Sequence, residues 1–117
     1  MTIPLKAKYY ENMLKVLPME ELLVAHTDPV ATNGDITFIA EWLGIRHAEA
    51  PATAFSVLLK LLNHDNIMVR EGAIVGLCHF PAIQILPYLK GRLRHETHKT
   101  IKMILEDEIQ NIEEENG

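Results

Sequence analysis

Cysteine is nearly absent: Cys78 is the only one in 117 residues. A single thiol excludes an internal disulfide and any Cys–Cys pair to hold zinc, so a reducing compartment is the natural expectation. Long apolar runs are missing too, and nothing approaches the roughly 18 residues of a membrane span. The N-terminus, MTIPLKAKYYENM, meets charge and tyrosine too early to be the apolar segment of a secretory signal. Glycine and proline number six each, which removes collagen-like and low-complexity readings. What is there is an ordinary globular composition, 48% hydrophobic and 23% charged. The length suits a single domain over residues 1–117 and is too short for a nucleotide-binding fold with a second substrate domain. The net charge of −5 argues against a dedicated polyanion binder and leaves room for a local basic patch. The expectation is a complete small protein, soluble and cytoplasmic, with no membrane contact.

Strand signals are poor. Period-two alternation never lasts six residues, and the one Asn-Gly pair, Asn33-Gly34, follows Asp28-Pro29 in a polar connector. Helical spacing runs through the chain. Ile101, Ile104, Leu105, Ile109 and Ile112 form one stripe, with Thr97 placed to cap its helix. Ile85, Leu86, Leu89 and Leu93 make another from Pro81, and Pro87 inside it predicts either a kink or the true first helical position. Asp65 is placed to cap a helix carrying Val69, Ala73, Leu77 and Phe80. Pro51 opens one with Phe55, Leu58, Leu59 and Leu62 inward. Asp35 is placed to cap Ile36 to Leu43, closed by Gly44. Pro18 starts a short helix through His26, and Leu5 to Leu17 reads as a helix with Tyr9, Met13, Val16 and Leu17 inward. The chain is expected to be all-α, with about seven helices.

A repeat underlies the second half. Ser56-Val-Leu-Leu-Lys-Leu-Leu62, then Asn63-His-Asp65, then Val69-Arg-Glu-Gly-Ala-Ile-Val-Gly-Leu77 returns more weakly as Ile85-Leu-Pro-Tyr-Leu-Lys-Gly-Arg-Leu93, Arg94-His-Glu96 and Thr100-Ile-Lys-Met-Ile-Leu105. The period from Leu62 to Leu93 is 31. A leucine-rich helix, a polar turn with an acid, then a helix opening Val-Arg resembles HEAT repeats, most closely the short ones first noted in phycobilisome lyases. The resemblance is strongest over residues 51–112. It implies a short right-handed α-solenoid of helical hairpins, with residues 1–50 as atypical capping helices and 113–117 as an acidic tail. It also places Asp65 and Arg70 on the acid and arginine that, in that family, tie the turn between helices to the next helix.

Chemistry-bearing residues are scattered. Six histidines invite a metal, but His79, His95 and His98 come with neither Cys nor an HExxH motif, so no metal or cofactor is expected. Cys78 and His79 are adjacent and point apart on a helix, so a small buried thiol is expected rather than a nucleophile, and no enzyme. Gly72 and Gly76 sit inside an apolar helix, where each glycine costs about 1 kcal/mol, which predicts a close neighbour. Charge is the most useful signal. Residues 88–102 hold five bases and one acid, whereas residues 103–117 hold six acids and no base. Lys90, Arg92, Arg94, Lys99 and Lys102 therefore gather at one turn as the candidate partner-binding residues. The expected job is non-enzymatic: a small adaptor, inhibitor or immunity-type protein that binds a larger protein bearing an acidic patch. The alternative is nucleic-acid binding on the same ridge, with only Tyr88 nearby for stacking; a homodimer is compatible with either.

Overall fold

A computed structural model describes residues 11–116, and among them it is built of seven α-helices with no strand. These are α1 (Glu11–Val16), α2 (Met19–Leu22), α3 (Asn33–Ile45), α4 (Pro51–Leu62), α5 (Ile67–Leu77), α6 (Ala82–His95) and α7 (Lys99–Asn116). The all-α expectation holds. One apolar core runs from Leu14 to Ile112, through molecular extents of 54 × 30 × 18 Å.

Backbone chemistry decides where the helices begin, and here several expectations change. Thr32, not Asp35, caps α3: its hydroxyl takes the Asp35 amide at 3.1 Å while the Asp35 carboxylate takes the Thr32 amide at 2.9 Å. Asn66, not Asp65, caps α5, its Oδ1 accepting from Met68 and Val69. At α7 the cap is not Thr97; the Glu96 carboxylate takes the His98 amide at 3.0 Å. Pro87 lies within α6, which starts at Ala82, so it does not mark the first position. The short second helix ends at Leu22, and Ala25–Thr27 forms a separate 3-10 turn. The acidic segment 113–115 is helical, part of α7 rather than a tail. In the N-terminal segment, Leu14 is the buried residue, while Met13 and Val16 are 39% and 75% exposed; residues before Glu11, Tyr9 among them, lie outside the description. Arg46 helps fix that register, since its Nη1 donates to the Leu14 and Leu17 carbonyls at 2.9 and 2.6 Å. A cation at the end of α1 also suits the negative pole of the helix.

The most intimate packing joins α3 and α5. A Cβ built on Gly72 would lie 2.7 Å from the Thr37 carbonyl oxygen, and one on Gly76 would overlap the Ala40 carbonyl. Gly44 lies inside α3, not past its end, and a Cβ there would overlap the backbone of Gly76. The close neighbour expected of Gly72 and Gly76 is thus α3. Contacts climb together along both helices, from Thr37 with Gly72 to Gly44 with Gly76, so α3 and α5 run parallel. Arg70 with Glu96 and Cys78 with Glu108 show α7 running the same way beside α5. On the other side, Phe55 meets Tyr88 edge-on at 5.5 Å and Asn63 meets Arg92, aligning α4 with α6. The chain therefore stacks α3, α5 and α7 in one layer against α4 and α6. This arrangement brings the α4–α5 turn and the α6–α7 turn to one edge.

Candidate interaction surface

That edge is organised by a buried acid. The Glu96 side chain is fully buried, and Arg70 approaches it with two bonds, Nε to Oε1 at 2.9 Å and Nη2 to Oε2 at 2.7 Å. Arg92 adds Nε to Oε1 at 3.1 Å and reaches Asn63 Oδ1 at 3.0 Å. Burial acts to raise the Glu96 pKa. The Arg70 hydrogen bonds, the His98 amide and the two positive charges outweigh it, and the carboxyl stays below its usual range. The remaining hand of Arg70 closes the neighbouring turn, Nη1 donating to the His64 and Asp65 carbonyls at 2.9 Å each. Arg70 thus meets Asp65 through the backbone, while the exposed Asp65 carboxylate is not its partner. Between the two turns lies a polar cleft of about 460 Å³, lined by Asn63, His64, Asp65, Arg70, Arg92 and His98 among others.

The five bases expected to act together are divided by this network. Lys90 pairs with Glu113 at 3.2 Å across α6 and α7. Arg92 is held in the Glu96 network with a side chain 14% exposed. Arg94, Lys99 and Lys102 are exposed, and their side chains make no hydrogen bond or ion pair among the described residues. Lys99 and Lys102 stand in the first turns of α7, at its positive pole, where a cation is locally unfavourable. Glu96, the one acid within residues 88–102, faces inward to Arg70 and Arg92. An exposed group of three cations remains on the edge, and it can attract and orient an anionic surface.

The other chemistry-bearing residues separate in space. Among the described residues no group of three or more His, Cys, Asp or Glu could hold a metal ion. His79 and His95 are exposed, and the buried His98 Nδ1 has no hydrogen-bond partner. Cys78 is a correction: it caps the end of α5 at the surface, its Sγ 3.4 Å from the Glu108 carboxylate. Partial burial of the thiol and then the Glu108 charge push its pKa up to about 12, the reverse of activation. Two residues that organise the molecule had no assigned role in the sequence reading. Glu96 was legible as the acid of the second repeat, 31 residues after Asp65. Arg46 carried no such signal; its guanidinium also holds Glu49 at 2.7 and 2.9 Å.

The fold and edge define an all-α protein with a charged rim of turns, and no helix among the described residues is long and apolar enough to cross a membrane. Compared with family models, curated proteins and solved structures, the chain matches none.

Proposed function

We propose that this chain is a non-enzymatic protein-binding module, a short HEAT-like solenoid that engages an acidic patch on a larger protein through Arg94, Lys99 and Lys102. The observation that carries the reading is the division of charge at the turn edge. Glu96 is enclosed by Arg70 and Arg92, whereas three neighbouring cations have no partner among the described residues. Parallel α3, α5 and α7 backed by α4 and α6 support the solenoid reading, with α4–α5 and α6–α7 as its repeats and α1 to α3 as the cap. An adaptor, inhibitor or immunity-type protein acting in the cytoplasm needs no more than such a rim. Nucleic acid is the weaker ligand for it, because Arg92 is occupied and Tyr88 is the one aromatic on α6.

The test is capture of partners from native cells, with and without nuclease, followed by association kinetics of the captured protein. Replacing Arg94, Lys99 and Lys102 by Glu should leave the melting temperature unchanged, since exposed charges contribute little. Association should slow by about tenfold or more at low salt, and the difference should shrink as salt rises. Unchanged association of the triple variant sinks the reading. Capture that disappears with nuclease, together with steep salt dependence on arbitrary DNA, replaces it with the nucleic-acid one.

A further inference from the structure

The turn edge carries a second cleft beside the one between the α4–α5 and α6–α7 turns. The first holds about 460 Å³; the second, between the α4–α5 turn and the 3-10 turn Ala25–Thr27, holds about 440 Å³. Asn63, His64 and Asp65 form a wall common to both. The remaining polar lining matches in kind: His26, Thr27 and Lys60 in one cleft, His98, Thr97 and Arg92 in the other. In each, a histidine and its neighbouring threonine stand with a cation from the last turn of α4 or α6.

These walls hold unspent donors. Arg92 uses three of its five N–H groups, on Glu96, Asn63 and the His95 carbonyl, so one remains on each Nη. His64 Nδ1 accepts from the Asn66 amide at 3.0 Å, which puts the proton of the neutral ring on Nε2. The His98 Nδ1 is buried with no hydrogen-bond partner among the described residues. Charge points the same way. Lys60, Arg70 and Arg92 line the two clefts, and Arg94, Lys99 and Lys102 stand beside the first. Against them are Asp65 and Glu96, and the Glu96 carboxylate is already enclosed by Arg70 and Arg92. A compact group with negative charge and free lone pairs complements such walls.

We infer that the two clefts receive two carboxylates of one extended acidic segment of the partner protein, three residues apart. The inference rests on the reading of this edge as the partner-binding surface and names what the partner presents there. Packed helices stand about 8–10 Å apart, and the clefts alternate with the turns that join those helices, so neighbouring clefts are separated by about one such step. A polyproline II segment rises about 3.1 Å per residue with three residues per turn, so side chains at i and i+3 project to one side about 9 Å apart. A β-strand does not match: i and i+2 share a side only about 6.7 Å apart, and i+3 points the other way. Asp65, on the shared wall, lies between the two seats and opposes both charges.

The probe is the blocked peptide acetyl-Pro-Glu-Pro-Pro-Glu-Pro-amide, with Glu at i and i+3. Its Gln counterpart, the i, i+2 isomer acetyl-Pro-Glu-Pro-Glu-Pro-Pro-amide, inorganic phosphate and a short oligothymidylate are the controls. The full chain, labelled with ¹⁵N, is titrated with each at pH 7.5. Amide shifts from the probe should concentrate on residues 26–27, 63–66 and 97–98. Lys60→Gln and His98→Leu should each weaken binding by about threefold or more, and Asp65→Asn, at an exposed position, should strengthen it by about threefold. The gain in Asp65→Asn cannot come from a damaged fold. No binding, equal binding of the Gln peptide, the isomer or phosphate, or weaker binding by Asp65→Asn overturns the inference. Tighter binding of the oligothymidylate to the same residues overturns it in favour of nucleic acid. The Arg94, Lys99, Lys102 triple variant separates the clefts from the rim. Slowed association of the captured protein by that variant, with no cleft shifts from the probe, sinks this inference alone; cleft shifts with unchanged association support the clefts and sink the cationic rim.

Discussion

Arg70 and Glu96 lie 26 residues apart and form a buried two-point ion pair, so the N-terminus of one helix is locked to the turn that opens another. The guanidinium fork matters more than its charge, because Nε and Nη2 take the carboxylate while Nη1 takes two backbone carbonyls. Removing either partner leaves a buried charge uncompensated. Arg70→Ala and Glu96→Gln should each lose about 3–5 kcal/mol in urea unfolding. Arg70→Lys should recover little of it, since an ammonium lacks the fork. Asp65→Ala, at an exposed carboxylate, should change stability by less than about 0.5 kcal/mol. Equal costs for Asp65→Ala and Arg70→Ala would show that the side chain of Asp65 is the true partner of the turn.

The glycines separate into two kinds. Gly44, Gly72 and Gly76 have no room for a Cβ, whereas one on Gly91 would find its nearest neighbour, the Arg94 guanidinium, at 3.7 Å. Gly76→Ala should therefore destabilise by about 1–3 kcal/mol or more, because backbone rather than a flexible side-chain end must move. Gly91→Ala should stabilise by about 0.5–1 kcal/mol through helix propensity. Thermal melts of the two variants with the same sign of change would contradict the α3–α5 packing.

Much of this architecture was visible in spacing. The α7 stripe of Ile101, Leu105, Ile109 and Ile112 is buried as its periodicity predicts, because a long helix averages over many positions. Caps were less legible: Asp35 and Asp65 are good capping residues, and the chain uses Thr32 and Asn66, one to three positions away. The choice depends on where the backbone leaves the extended region, which composition does not reveal. The basic cluster was legible as charge but not as geometry. Residue type cannot tell that Arg92 turns inward to Glu96 while Arg94, two positions on, stays in solvent. Long-range pairs such as Arg46 with the Leu14 carbonyl leave no local pattern at all.

Cys78 should be a slow nucleophile despite its surface position. A pKa near 12, against 9.0 for an ordinary thiol, lowers the thiolate fraction at neutral pH by about a thousandfold. Alkylation by iodoacetamide at pH 8 should accordingly lag far behind a free cysteine, and Glu108→Gln should accelerate it by removing the nearby charge. Alkylation at the rate of a free thiol would mean that the Sγ–Glu108 contact does not persist in solution.

Acid should weaken the fold in two stages of known sign. His26 is half-buried, and burial first, then the Lys60 charge, hold its pKa below 6.5 against a backbone hydrogen bond to Leu23. The unfolded chain therefore takes up a proton before the folded one does, and stability falls as pH drops below about 6.5. Glu96 acts at lower pH. Its folded pKa is depressed below 4.5, so its contribution is present above that value and is lost as pH falls through the folded pKa. Urea unfolding from pH 7.5 to 3 should show a shallow decline near pH 6, absent in His26→Leu, followed by a steeper one below pH 4.5. Glu96→Gln should flatten only the second. If His26→Leu keeps the first decline unchanged, its burial beside Lys60 is not what makes the fold sensitive there.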